Sequence, residues 1–163
     1  MNDGKVIIHG SSGDATGYAM RGGKIFVRGD AGYRAGIHMK AYQDKHPQII
    51  IGGSAGCFLG EYQAGGLIVV LGMGAKGRCP VGSFCGTGMH GGKIILRCEV
   101  LPEDLPAQVH AKEAGPEEME EATELIEEFC KIFDYNKKEI LKGRFYVLTP
   151  DTKNPYRQLY TYH

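Results

Sequence analysis

The sequence predicts an all-β solenoid: a parallel β-helix of about five coils, followed by a C-terminal α-helix and an extended tail. Three observations carry this expectation. Of the 25 glycines in 163 residues, 23 precede residue 93. Five apolar runs, KVIIH (5–9), KIFVR (24–28), QIIIG (48–52), LIVVL (67–71) and KIILR (93–97), superpose without gaps. The position after each run falls at Gly10, Gly29, Gly53, Gly72 and Cys98, so the spacings are 19, 24, 19 and 26. One short strand-like run per unit of that length is the pattern of a stacked repeat.

The elements follow in order. The runs are rich in β-branched residues, which favour strands. Between them the glycines repeat the pattern of Gly10, Gly13, Gly17, Gly22 and Gly23, which recurs in full at Gly53, Gly56, Gly60, Gly65 and Gly66. These are sharp turns. Two loops, within 37–47 and 73–81, carry the extra residues. The second and fourth positions of each run share a face and form an interior column: Val6/Ile8, Ile25/Val27, Ile49/Ile51, Ile68/Val70 and Ile94/Leu96. The middle column, Ile7, Phe26, Ile50, Val69 and Ile95, points the opposite way and needs a cover.

Residues 116–134, PEEMEEATELIEEFCKIFD, supply one. Proline and acids open a helix, and Met119, Ala122, Leu125, Ile126, Phe129, Cys130 and Phe133 form one apolar face. Its acids are expected near the basic flanks of the runs. A short helix over 137–142, a strand-like RFYVLT over 144–149 and a polar tail rich in tyrosine complete the chain. Residues 1–98 are thus expected to form the β-helix, and 99–163 to pack on it within the same domain.

Formal net charge is +0, but residues 1–98 carry +6 and residues 99–163 carry −6. Opposite signs favour docking of the two halves. There is no apolar run long enough to span a membrane and no signal-peptide pattern, so a cytoplasmic protein without membrane contact is expected. Five cysteines, Cys57, Cys79, Cys85, Cys98 and Cys130, contain no C-x-x-C pair and read as reduced, mostly buried thiols.

The motifs that suggest chemistry lack their context. Gly72-Met73-Gly74-Ala75-Lys76-Gly77 follows an apolar strand and matches a dinucleotide-binding fingerprint, as does Gly86-Thr87-Gly88-Met89-His90-Gly91. Arg78-Cys79-Pro80 after the first match opens no helix, and no acidic residue stands about 20 positions on. The second match runs straight into the fifth apolar run. Cys79 and Cys85 have no standard metal-ligand spacing. The histidines, His9, His38, His46, His90, His110 and His163, have no H-x3-H or H-E-x2-H arrangement. Arg21, Arg34, Lys40, Lys45, Lys76 and Arg78 lie in turns without a nucleic-acid-binding module. Asp14, Asp30, Asp44 and Glu61 are too sparse for paired-carboxylate hydrolysis.

The repeat pattern resembles the GXGXG-repeat family, which includes the C-terminal β-helix domain of the glutamate synthase large subunit and a subunit of formylmethanofuran dehydrogenase. GEYQAGGLIVVLG (60–72) and GTGMHGGKIILR (86–97) are most similar to the glutamate synthase form. The likeness covers about residues 4–98, and the tail NPYRQLYTYH (154–163) is more weakly similar to stand-alone proteins of this type. The resemblance implies a right-handed β-helix, the hand that parallel crossovers generally favour. It also implies a non-catalytic structural subunit, with no catalytic, cofactor-binding or metal residue carried over to this chain. FMN and iron–sulfur clusters are expected on partner subunits, the glutaminase and synthase parts of the complex. Exposed strand edges at the coil ends call for a cover from the C-terminal segment or another subunit, which leaves room for a homo-oligomer. The alternatives are a subunit of a formylmethanofuran-dehydrogenase-like complex, or an independent ligand-binding or enzymatic β-helix.

Overall fold

A computed structural model describes residues 1–151. Seven strands and two helices follow in the order β1 (Lys5–Ile8), β2 (Lys24–Val27), β3 (Gln48–Ile51), β4 (Ala64–Val70), β5 (Gly91–Arg97), β6 (Val109–Glu113), α1 (Pro116–Phe133), α2 (Lys137–Leu141) and β7 (Phe145–Pro150). They form one sheet with the strand order β1-β2-β3-β4-β5-β7-β6. The first five strands are parallel and pair by their apolar columns, so that Ile7, Phe26, Ile50, Val69 and Ile95 stand side by side. β7 then runs antiparallel to β5, with Ile95 opposite Val147, and β6 is antiparallel to β7.

This topology corrects the expected all-β solenoid. The described residues form a mixed seven-stranded sheet with two helices, not a right-handed parallel β-helix of about five coils. Among the described residues, the connections of the parallel part are joined by backbone hydrogen bonds from one to the next but form no further strands, with β-pairing limited to isolated bridges of Ala31 with Ala55 and Ala55 with Val81, plus a local Tyr42–Lys45 pair. The reason lies in their backbone. The turns alternate glycines with left-handed residues such as Arg34 (φ 60°) and Phe58 (φ 61°), which cannot continue a pleated strand. The expected extended tail lies outside the described residues.

The sheet has two apolar faces, each with its own cover. On one, Ile49, Ile51, Ile68, Val70, Ile94 and Leu96 pack against the connections through Met20, Ala35, Met39, Leu59, Cys85 and Met89. On the other, Phe26, Ile50, Val69 and Ile95 of the middle column pack under α1 through Ala122, Leu125, Ile126, Phe129 and Phe133. Burial of each such side chain is worth about 1.5–3 kcal/mol before entropy is subtracted.

α1 starts after Gly115, whose N–H donates to Glu118 Oε1 at 3.3 Å. It stops where Asp134 turns left-handed at φ 61°. Its acids tie it to the sheet. Glu128 pairs with Lys5 and, at 2.8 Å, with Lys24. Glu121 accepts from Gln48 at 3.0 Å and pairs with His46 at 2.7 Å.

The two ends of the sheet differ. Beyond β5, β7 and β6 continue the pairing. β1 has no neighbour on its outer side among the described residues, and Val6 and Ile7 are 41% and 43% exposed. Val6 thus departs from the interior column that its counterparts occupy, because no strand of the described residues lies beyond it.

Candidate functional site

The connections carry the most unusual surface of the molecule. Each repeats the same glycine frame, so equivalent positions stand above one another. In one row Ala15, Arg34, Phe58 and Phe84 all have φ between 57° and 62°. Four residues on, Ala19, His38 and Tyr62 have φ between 52° and 58°, and Gly88 completes that row at φ 70°. A left-handed backbone costs an L-residue roughly 1–2 kcal/mol. What offsets it here is a ladder of hydrogen bonds from one connection to the next. Arg34 N–H donates to Cys57 O at 2.9 Å and Phe58 N–H to Ser83 O at 2.9 Å. His38 N–H donates to Glu61 O at 2.9 Å and Tyr62 N–H to Thr87 O at 2.8 Å.

This backbone stacks the side chains on the outside. The Arg34 guanidinium lies 4.4 Å from the centre of the Phe58 ring, and Phe58 stacks on Phe84 at 5.1 Å. Beside them His38 stacks on Tyr62 at 5.0 Å, with Tyr18 edge-on to His38. Arg34 also pairs with the buried Glu61, which joins the two rows. Tyr18, Tyr33, Tyr62 and Phe84 are between 45% and 61% exposed. Aromatic residues and arginine are the types enriched in protein interfaces, and exposed apolar clusters mark such sites.

The residues singled out in the sequence are otherwise dispersed. Cys79 and Cys57 are half-buried, and Cys85, Cys98 and Cys130 are buried; all five are free thiols. Burial pushes the thiols of Cys85 and Cys98 up, to about 12 and about 11, so neither is a nucleophile at neutral pH. Among the described residues no group of three or more His, Cys, Asp or Glu is placed to hold a metal. His9 meets Phe133 edge-on at 5.4 Å, His90 contacts Gly88 O at 3.1 Å and His110 lies 3.7 Å from Asp151. His163 lies outside the described residues. Arg21 donates to the carbonyls of Ala19 and His38. Lys76 and Arg78 line a separate cavity formed by the first fingerprint-like stretch.

Sequence reasoning missed Phe58, Tyr62 and Phe84. The available signal was their place in the glycine frame, level with Arg34 and His38. Among the described residues, no helix is long and apolar enough to cross a membrane.

A glycine-framed sheet protein whose turns, rather than its strands, display the exposed aromatic side chains is the class that fold and surface define. The chain belongs to the GXGXG motif family, whose family model matches residues 1–150. It is 48% identical over 138 residues to the uncharacterized protein MJ1350 of Methanocaldococcus jannaschii, a match that covers 81% of this chain and 53% of that protein. The chain therefore spans about half the length of the curated relative it matches.

Proposed function

We propose that this chain is a non-catalytic structural subunit of a cytoplasmic glutamate-synthase-like complex. Its partners are the chains that carry the glutaminase and the flavin and iron–sulfur synthase parts, and FMN and the clusters reside on those chains. Membership of the GXGXG motif family supports the reading. The single observation that carries it is the outward stack of Arg34, Phe58, Phe84, His38 and Tyr62, held on a strained backbone with Tyr18 edge-on to His38. Backbone strain persists where the surrounding structure enforces it and clusters at functional sites. A stack so displayed serves to seat another protein surface.

The test is co-expression with glutaminase and synthase chains from the same source, followed by size exclusion with light scattering. Glutamine-dependent glutamate formation is then measured with and without this chain. Co-migration, loss of coupled activity without the chain, and weaker association of a Tyr62→Ala/Phe84→Ala double variant are expected. Truncating a hot-spot aromatic costs about 2 kcal/mol or more of binding, roughly 30-fold. Full coupled activity without the chain would overturn the reading.

A further inference from the structure

The first G-x-G-x-x-G stretch opens no phosphate-binding helix, yet it lines a cavity of about 440 Å³. The cavity is shared by three parts of the chain: the loop from Gly72 to Arg78, the end of β5 at Arg97, and Arg144 just before β7. Four cations, Lys76, Arg78, Arg97 and Arg144, face one carboxylate, Glu99, in its lining. Arg144 is engaged by Glu113 at 3.4 Å. Lys76, Arg78 and Arg97 have no carboxylate partner among the described residues.

Two of these cations are held in place by main-chain oxygens. Arg97 donates through Nε to Ile140 O at 2.9 Å and through Nη1 to Leu71 O at 3.1 Å, and Arg78 donates through Nε to Ala75 O at 3.1 Å. Both guanidinium groups keep further N–H donors. The loop backbone adds its own. Gly72, Gly74, Lys76 and Gly77 are left-handed, at φ 62°, 86°, 53° and 82°. The N–H groups of Gly74, Lys76 and Gly77 donate to no other atom of the described chain. The loop is two successive β-turns, closed by Ala75 N–H to Gly72 O and Arg78 N–H to Ala75 O, each at 3.1 Å, and the central N–H groups of such turns remain free to meet an anion. An ideal Cβ at Gly74 or Gly77 would meet nothing within 4 Å, so the space beside this backbone is open.

We propose that this cavity binds the phosphate group of a small phosphorylated molecule. Phosphate fits better than a carboxylate because it presents three acceptor oxygens to arginine forks and loop N–H groups, and carries close to two negative charges. The cavity volume lies in the range of small-molecule sites. The site lies on the insertion that lengthens one repeat and is independent of the aromatic surface.

The test is a titration of the full chain with inorganic phosphate and with pyrophosphate at constant ionic strength, followed by amide NMR. Saturable shifts of the Gly74, Lys76 and Gly77 amides are expected in both titrations. Lys76 and Arg78 are exposed, so a Lys76→Ala/Arg78→Ala variant keeps its fold, which unchanged amide positions elsewhere verify. That variant is expected to bind about 100-fold more weakly, roughly tenfold for each lost charged contact. A Lys40→Ala/Lys45→Ala control retains parental affinity. Absence of saturable shifts, or equal weakening in both variants, overturns the proposal.

Discussion

Individual glycines in this molecule are set by contacts from neighbouring repeats. Gly60 is left-handed at φ 67°, and a Cβ there would lie 2.8 Å from Ile94 Cδ1 and 2.9 Å from Gln63 Oε1. Gln63 is itself fully buried and donates to the carbonyls of Gly65, Gly66 and Lys93, so it has little room to yield. Gly60→Ala is therefore expected to destabilise the fold by about 2–4 kcal/mol, combining overpacking with the left-handed penalty. Chemical denaturation measures this, and a change below about 0.5 kcal/mol, typical of an unconstrained surface site, would contradict it. The neighbouring left-handed residues show the converse. Phe58 and Tyr62 occupy conformations that glycine adopts freely, and there the hydrogen bonds between connections offset the cost of carrying a side chain.

At the scale of elements, α1 is joined to the sheet by packing and by polar ties at its rim. His46 belongs to the longer connection between β2 and β3, and its ring is held above its ordinary value by the hydrogen bond to Glu121, against burial and the charge of Lys93. Burial pushes Glu121 up, but the bonds from His46 and Gln48 prevail and hold its carboxyl below its ordinary value. The contribution of His46 is complete below 6.5 and is lost as pH rises through its raised folded value. That of Glu121 is complete above 4.5 and is lost as pH falls through its lowered folded value. The pair therefore stabilises fully between 4.5 and 6.5. Both side chains are partly exposed, so it is worth about 0.2–1 kcal/mol. The stability difference between parent and His46→Gln, measured against pH, is expected to peak in that window and shrink on both sides. A difference independent of pH would refute the coupling.

Across the whole molecule, identical sequence positions acquire different environments from their place in the sheet. Ile7 and Ile50 occupy the same column, yet Ile7 is 43% exposed at the β1 edge and Ile50 is fully buried under α1. Ile7→Lys is expected to change stability by no more than about 0.5 kcal/mol. Ile50→Lys would bury a charge without a partner and is expected to abolish folding. Comparable melting temperatures for the two variants would show that α1 does not cover the column.

The sequence by itself determined the pairing of the five parallel strands, because a fixed apolar column tolerates no slip of one residue without turning its side chains to the wrong face. It also determined the apolar stripe of α1 and the helix and strand that follow, since each rests on local periodicity or a local stop signal. Only the tertiary structure decided the fold class. Whether turns of glycines and left-handed residues become further strands depends on hydrogen bonds made between connections, and whether 144–149 extends the sheet depends on where α1 returns the chain. The register of β6, whose Val-His-Ala-Lys-Glu has weak alternation, came from pairing with β7. The aromatic stack was marked along the chain only by the glycine frame that sets Phe58 and Phe84 level with Arg34, and Tyr62 level with His38, and the grouping of the cavity's cations was not marked at all. The stacked rings come from connections that the parallel pairing of β1 to β5 sets side by side, and Arg144 reaches the cavity because β7 pairs antiparallel with β5.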